Sequence, residues 1–174
     1  HVPIDQVDKS MRRTAKAVNF GILYGISSFG LSEDLGINIK MAKEFMDNYL
    51  ETYPGISEYM EEEKQNAYKH GYVKTLMNRK RVIEELQSKN YLVRSGGERI
   101  ALNTPIQGTA ADILKKAMIE IYDKFRELGL KSKMLIQVHD ELVFNVKKDE
   151  MDQVTEIVRD IMENTLSLIH ISEP

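Results

Sequence analysis

Two short apolar runs on either side of a polar triplet constrain the fold of this chain more than any other feature. Residues 134–138 and 142–146 are rich in β-branched, aliphatic and aromatic side chains, and His139-Asp140-Glu141 separates them. This spacing predicts a β-hairpin with acidic residues at its bend. The remainder is predicted as mainly helical, without internal repeats, so we expect an α+β fold with a small antiparallel sheet.

Helix caps and breakers divide the rest of the chain. Predicted helices cover residues 10–23, 32–35, 39–51, 54–70 and 99–128, followed by a last helix that reaches about residue 165. The boundaries rest on capping residues, terminating glycines and one proline in a first turn: Asp8 or Ser10, Asn38, Asp149, Gly36, Gly129 and Pro54. Pro105 is expected to interrupt the fifth helix. Residues 72–97 contain several breakers and are predicted to be irregular.

Bulk charge does not identify a partner, because 24 basic residues nearly balance 27 acidic ones. Local charge is more informative: residues 74–99 carry seven basic and three acidic side chains, whereas residues 140–163 carry three basic and eight acidic ones. A basic segment suits a phosphate-rich ligand and an acidic one a metal ion, although solvated helix faces give the same pattern. The chain has no cysteine, which excludes disulfides and thiolate metal sites, and no apolar run of membrane-spanning length.

The first predicted helix carries a row of four side chains spaced by four residues. Arg12, Lys16, Phe20 and Tyr24 form one slowly turning stripe, since each step of four advances about 40° around a helix. Two cations followed by two aromatic rings suit a nucleotide, whose phosphates need cations and whose sugar and base need flat apolar surfaces. An amphipathic helix with aromatic rings in a core and cations at its rim would show the same spacing.

The complete string from Arg12 to Gly25 resembles the fingers helix of family A DNA polymerases, the bacterial DNA polymerase I group. It reads Arg-Arg-x-x-Lys-x-x-Asn-Phe-Gly-x-x-Tyr-Gly, a long and specific pattern. The resemblance implies that Arg12 and Lys16 hold the phosphates of an incoming nucleotide, that Phe20 faces its sugar, and that Tyr24 stacks near the templating position. Gly25 would let the chain turn at the helix end.

A second row with the same spacing lies on the fifth predicted helix. Arg99, Asn103 and Gln107 could reach a nucleic-acid minor groove, where donors contact purine N3 and pyrimidine O2 without reading sequence. Three exposed polar residues on an amphipathic helix are the alternative. The string from Arg99 to Asp112 resembles the helix that follows the primer–template duplex in the same family, which implies DNA-binding roles for all three residues.

The segment Gln137 to Val143 resembles the palm motif of this family. The resemblance implies that Asp140 binds a catalytic Mg²⁺, that Glu141 is an auxiliary ligand, and that His139 contacts DNA near the primer end. Asp140, Glu141 and Lys16 would then be the catalytic residues. Adjacent carboxylates at a bend are otherwise more typical of a plain turn.

A basic turn, Asn78-Arg79-Lys80-Arg81, precedes the duplex helix. A Gly-Arg-Arg-like turn that helps to hold the template lies here in the family, which implies that Arg79 and Arg81 bind DNA. Asn78 stands where the family has glycine, and a solvated charge run remains the alternative.

The resemblance extends over residues 1–165 and implies an incomplete right-hand polymerase fold. Residues 1–70 would form a helical fingers portion, and residues 71–165 a palm portion with the duplex-contacting helix and the catalytic hairpin. Residues 166–174 match a translated sequencing adapter, so we interpret them as a non-native tail; a genuine strand with alternating leucine and isoleucine is the alternative. A start at His1 and the lack of the family's first aspartate motif predict a chain that begins inside a longer gene product and is inactive alone.

By this resemblance the parent protein is a DNA-directed DNA polymerase, a nucleotidyltransferase of DNA replication and repair that acts as a monomer in the bacterial cytoplasm, without a membrane partner. It would join a deoxynucleotide to a primer 3′-hydroxyl and release pyrophosphate. Its partners would be primer–template DNA, deoxynucleoside triphosphates and two Mg²⁺ ions, with the second aspartate ligand outside this chain.

Two alternatives stay open. A single-subunit RNA polymerase shares a Lys-to-Tyr-Gly helix and a His-Asp motif, but Phe20 and Glu141 argue against it. The other is a non-catalytic DNA-binding relative.

Overall fold

The structure, a computed structural model, describes residues 2–165. The interpretation of residues 166–174 as a non-native tail falls outside the described residues. The chain divides into two compact units, one ending at Gly108 and the other beginning at Thr109. Among the described residues, no helix is both long enough and apolar enough to cross a membrane.

Four helices and a hairpin precede a long helix. The elements are α1 (Lys9–Leu23), α2 (Ser28–Leu35), α3 (Ile39–Thr52), α4 (Pro54–His70), β1 (Tyr72–Lys74), β2 (Lys80–Val82) and α5 (Tyr91–Glu127), and the unit boundary falls within α5. The elements that follow are β3 (Lys133–Val138), β4 (Glu141–Asn145) and α6 (Met151–Asn164). Over residues 2–165 the fold is therefore mainly helical with two small antiparallel sheets, of which the sequence predicts the β3–β4 sheet and not the β1–β2 sheet.

Side-chain caps fix the starts of the first three helices. The Asp8 carboxylate accepts from the Met11 amide at 2.7 Å, and the Asn38 side chain accepts from the Met41 amide at 2.8 Å, which confirms both predicted caps. Helix α2 begins four residues earlier than predicted, at Ser28, because the Ser27 hydroxyl caps it through the Gly30 amide at 3.1 Å.

The prediction that residues 72–97 are irregular is wrong. They contain the hairpin of β1 and β2, in which Val73 pairs with Arg81, and the first turns of α5. Asn78 makes the hairpin turn possible by taking a positive φ of 61°, a conformation that asparagine tolerates better than most residues. The pattern was too short for a strand signal, since each strand has three residues.

Helix α5 runs through Pro105 without the predicted interruption. Proline removes one backbone hydrogen bond, but the residues one turn earlier are tightly packed: Ala101 is 0% exposed and Leu102 is 1% exposed. Packing of the buried face thus keeps the helix continuous where the local propensity is poor.

One core cluster joins α4, the β1–β2 hairpin and α5 in the first unit. Its buried members are Ala67, Val73, Ile83, Leu86 and Ala101. Because the hairpin contributes Val73 and is followed directly by Ile83, this cluster holds the hairpin against the side of α5.

A second cluster organises the other unit. Ile121 and Phe125 of α5 pack with Val154 of α6, and the Leu142 and Phe144 side chains of β4 lie against them. The hairpin of β3 and β4 is the one predicted from the sequence, with a register irregularity between Met134 and Ile136.

The predicted capping role of Asp149 is wrong, and its neighbour Glu150 holds this corner instead. Asp149 pairs with the Lys147 ammonium at 2.7 Å. The Glu150 carboxylate accepts from the Lys131 amide at 3.0 Å and from the Ser132 amide and hydroxyl at 2.9 and 2.7 Å. These donors, the Ser132 hydroxyl first, lower the pKa of Glu150 below its ordinary value.

Candidate functional site

The predicted stripe on α1 forms a continuous row of side chains. The Lys16 ammonium lies 5.9 Å from the centroid of the Phe20 ring, and the Phe20 and Tyr24 ring centroids are 5.9 Å apart. Phe20 is 48% exposed, whereas Ile22 of the same helix is 1% exposed. Core packing therefore uses the Ile22 side of α1, and the Phe20 ring is left accessible to a ligand, which weakens the alternative of a purely structural stripe.

A cavity of about 540 Å³ lies along this row, within the first unit. Its polar and aromatic lining consists of Arg13, Lys16, Phe20, Tyr24, Asp34 and Arg99. The volume is in the range of small-molecule sites, and cations and aromatic rings share the wall. The arrangement can bind a ligand that is anionic at one end and flat at the other.

Two lining residues were missed by the sequence reasoning. Arg13 lines the cavity, while Arg12, which was predicted, is exposed and is not part of the lining. Arg13 lies three residues before Lys16, so helical spacing could have found it. Asp34 comes from α2, and no local pattern connects it with α1.

Close packing at Gly25 brings α1 and α5 together. Gly25 has a φ of +71°, and a β-carbon there would lie 3.1 Å from Cγ of Arg99 and 3.2 Å from Cδ1 of Leu102. The glycine therefore serves both the predicted turn and a close approach of two helices. Through this contact Arg99, predicted on the duplex helix, reaches the same cavity as Lys16.

The three residues of the predicted row on α5 differ in how far they are exposed to solvent. Arg99 and Gln107 are exposed, whereas Asn103 is partly buried. The Oδ1 atom of Asn103 is buried and accepts no hydrogen bond within the described part of the chain. An unpaired buried acceptor lowers the unfolding free energy by about 1–3 kcal/mol, so stability of the fold alone does not explain an asparagine at position 103.

The basic hairpin turn is attached to α5. The Arg79 guanidinium donates to the Gly108 carbonyl at 3.1 Å, and that of Arg81 donates to the Thr104 hydroxyl at 3.4 Å. The Lys80 ammonium lies 4.6 Å from the Tyr72 ring centroid. These contacts attach the three exposed cations to the hairpin and to α5.

A second cavity of about 390 Å³ opens beside this turn. Arg79, Lys80, Arg81 and Gln107 contribute to its lining, which joins the basic turn to the predicted duplex row. Gly108 permits this approach, because a β-carbon there would lie only 2.7 Å from Cγ2 of Thr75.

The acidic hairpin tip lies in the second unit. Val138 pairs with Glu141, which leaves His139 and Asp140 as a two-residue turn. His139 has a φ of 54°, and the Gln137 side-chain amide donates to its carbonyl at 2.8 Å. Asp140 and Glu141 are exposed. The described residues contain no cluster of three or more acidic, histidine or cysteine side chains suited to a metal, so these two carboxylates are at most part of such a site.

The structure thus forms three groups of the predicted residues. Lys16, Phe20, Tyr24 and Arg99 share the larger cavity; Arg79, Arg81 and Gln107 share the smaller one; His139, Asp140 and Glu141 share the β3–β4 tip. Arg12 lies on α1 next to Arg13, which lines the larger cavity. Asn103 lies on α5 between Arg99 and Gln107.

Comparisons with known proteins identify the family of the chain. The family model described as DNA polymerase family A matches residues 1–172. The chain is 54% identical over 168 residues to DNA polymerase I of Bacillus subtilis (strain 168), and 47% identical over 168 residues to that of Geobacillus stearothermophilus. Each alignment covers 97% of this chain and 19% of the relative, so the chain spans about a fifth of the length of these relatives.

A solved structure is similar as well. The POL domain of Pol1 from M. smegmatis, in complex with DNA primer-template and dNTP, superimposes with a TM-score of 0.88 at 42% identity. The match covers 95% of this chain and 29% of that one.

Proposed function

Because the chain belongs to DNA polymerase family A, we propose that it carries nucleotide-binding and duplex-binding surfaces of an enzyme for template-directed DNA synthesis. That enzyme joins a deoxynucleotide to a primer 3′-hydroxyl and releases pyrophosphate. The activity is assigned to a whole protein of the relatives' length. The family does not favour a single-subunit RNA polymerase.

One observation carries this proposal: the cavity along α1 places a cation and two aromatic rings in the order of a nucleotide's parts. Lys16 and Arg12 hold the phosphates, the Phe20 ring faces the sugar, and Tyr24 stacks near the templating position. Arg13, which lines the cavity, adds positive charge at the phosphate end. Charge-assisted contacts of this kind neutralise the triphosphate and orient it for attack.

The duplex row follows from α5. Arg99, Asn103 and Gln107 face the minor groove of the primer–template, where donors suffice for every base pair. The amide nitrogen of Asn103 is its only side-chain donor and is the end that we assign to the base. Arg79 and Arg81 contact the template strand from the neighbouring hairpin, with positions set by their bonds to α5.

The hairpin tip supplies the metal ligands. Carboxylate oxygens are the donors that Mg²⁺ prefers, and both Asp140 and Glu141 are accessible, so their chemistry fits this ion. Two carboxylates from one tip do not complete a two-ion site, and a further aspartate from another part of the whole protein is expected. When bound, Mg²⁺ favours ionisation of the primer hydroxyl and offsets the charge of the leaving pyrophosphate. His139 lies next to Asp140 and contacts the primer end.

We assign primer–template DNA and deoxynucleoside triphosphates as partners, in line with the ligands of the similar solved complex. The whole protein acts as a monomer in the bacterial cytoplasm, in replication and repair.

A chimera tests this proposal. Residues 2–165 replace the matching segment of the Bacillus subtilis relative, and primer extension is measured with the purified protein. We expect extension by the chimera and a loss on the order of a thousandfold in Asp140→Ala, with duplex binding retained. Asp152→Ala, an exposed aspartate of α6, is the matched control and should extend normally. An active Asp140→Ala chimera would contradict the assigned metal site.

A further inference from the structure

We infer that Gln137 is a positioning residue that sets the direction of the Asp140 side chain by holding the peptide between His139 and Asp140. The expected effect on catalysis rests on the proposed function. The positioning of the peptide at the β3–β4 tip does not.

The tip has a conformation that its residues do not favour by themselves. Two-residue hairpin turns of the common kinds need a positive φ at the first central position, where glycine, asparagine or aspartate is the usual residue. Here that position is His139, with a φ of 54°. Most side chains with a β-carbon disfavour this region, and although histidine occurs there more often than most, an additional contact stabilises the turn in one conformation.

The Gln137 side chain supplies that contact. Its Nε2 atom donates to the His139 carbonyl oxygen at 2.8 Å. This oxygen belongs to the peptide plane that also contains the amide nitrogen of Asp140, so the bond fixes the plane from which Asp140 departs. With the plane fixed, the Cα–Cβ direction of Asp140 is limited to its own φ. The amide nitrogen of Gln137 is the end that makes this bond, because a carbonyl oxygen can only accept.

The backbone position of Gln137 is fixed by strand pairing. Gln137 pairs with Leu142 across the hairpin, and directly paired residues lie on the same face of a sheet. Leu142 packs against the cluster of Ile121, Phe125 and Val154. The backbone of Gln137 is therefore held by a strand partner whose side chain packs on this core.

A direct contact between Gln137 and DNA is the competing role for an exposed glutamine on this strand. The two roles differ in what they change. A positioning residue alters metal affinity and kcat, whereas a DNA contact alters the Kd for the duplex.

The first experiment uses the chimera described above. Gln137→Met keeps the length of the side chain and removes the donor. We expect kcat to fall by about two- to tenfold, and Mn²⁺ affinity in the complex with a dideoxy-terminated primer and nucleotide to weaken by about the same factor. The Kd for duplex should stay unchanged. Gln153→Met, at an exposed glutamine of α6, is the matched control and should change neither quantity.

The second experiment reads the turn itself by NMR in the 174-residue chain. A positive φ brings the amide proton of residue 139 close to its own Hα and gives a strong intraresidue NOE. This NOE should weaken in Gln137→Met and persist in Gln153→Met. In a His139→Asn background the Gln137→Met effect on metal affinity should shrink, because asparagine tolerates positive φ.

The outcomes separate the two claims. An inactive wild-type chimera would sink the proposed function, and the NOE would then decide this inference alone. An active chimera in which Gln137→Met leaves both metal affinity and the NOE unchanged would overturn the inference. So would a weaker duplex Kd with unchanged metal affinity, which would make Gln137 a DNA contact.

Discussion

The backbone of Gly25 lies directly against the side chain of Arg99: a β-carbon at Gly25 would stand 3.1 Å from Cγ of Arg99. The contact joins the end of the α1 stripe to the row on α5. Any larger residue at position 25 must displace Arg99 or move α1, and either change deforms the cavity that Lys16 and Phe20 line.

Gly25→Ala should therefore impair nucleotide use in the chimera. The positive φ alone costs about 1–2 kcal/mol of unfolding free energy for a residue with a β-carbon. Gly36→Ala is the matched control, since Gly36 also has a positive φ, 64°, but a β-carbon at that position would meet nothing within 4 Å. Both variants should lose the stability that the positive φ costs, Gly25→Ala should lose more because of its close contacts, and Gly25→Ala alone should raise the KM for nucleotide. Equal KM values would contradict the role of the contact.

Gly108→Ala should loosen the β1–β2 hairpin. Its β-carbon would lie 2.7 Å from Cγ2 of Thr75, which is 5% exposed, so we expect an overpacking cost of about 1–3 kcal/mol in unfolding free energy. Thr75→Ser removes the methyl group, keeps the hydroxyl that accepts from the Arg79 amide at 3.1 Å, and should rescue Gly108→Ala. Gly96→Ala, with open space on the same helix, should instead stabilise by about 0.5–1 kcal/mol. Failure of the rescue would locate the strain elsewhere.

Glu150 should make the stability of the second unit depend on pH. Its pKa is lowered in the folded state from an ordinary value of 4.5 by bonds from the Ser132 hydroxyl and the Lys131 and Ser132 amides. The unfolded chain therefore binds the proton more tightly. The stabilisation is present above about pH 4.5 and is lost as the pH falls through the folded pKa.

The measurement is the melting temperature between pH 3 and pH 7. Wild type should exceed Glu150→Gln at neutral pH, and the gap should close at acidic pH. In a Ser132→Ala background, Glu150→Gln should lower the melting temperature at neutral pH by less than it does in wild type. Glu156→Gln, on the exposed side of α6, should leave the pH dependence of the melting temperature as in wild type. A gap that persists to pH 3 would exclude this carboxylate as its source.

Phe20→Tyr should weaken discrimination against dideoxynucleotides. In the proposed binding mode a normal nucleotide supplies a 3′-hydroxyl beside the Phe20 ring, and a tyrosine hydroxyl could replace the missing one in a dideoxynucleotide. A hydrogen bond to a charged phosphate contributes about 1.5–3 kcal/mol, so selectivity should fall by roughly tenfold to a hundredfold. The ratio of kcat/KM for deoxy- and dideoxynucleotides measures it. An unchanged ratio would show that Phe20 does not contact the sugar of the nucleotide.

Local chemistry explains which parts of the fold could be predicted. Asp8 and Asn38 cap helices, and Pro54 stands in the first turn of another. Each acts on residues no more than three positions away, so a short stretch of sequence is enough to predict its effect. The β3–β4 hairpin was predictable because two runs of five residues carry its pattern. The stripe on α1 was predictable for the same reason, as helical spacing places its members in a row.

The remaining features depend on distant residues. Pro105 does not interrupt α5 because the preceding turn is buried, and the β1–β2 hairpin forms because Val73 and Ile83 enter a core with Ala67 and Ala101. The place of Asp34 in the cavity wall likewise comes from packing of α2 beside α1, which no local string records.

The second core cluster also sets an order of events during synthesis. Phe125 leaves the ribosome 29 residues before Val154, the α6 side chain that buries it. At a synthesis rate of about 5–20 residues per second, this apolar side of α5 remains exposed for about 1.5–6 s before Val154 can pack on it. The nascent chain thus presents Ile121 and Phe125 to chaperones in that interval, and a slow codon run after residue 125 would lengthen it.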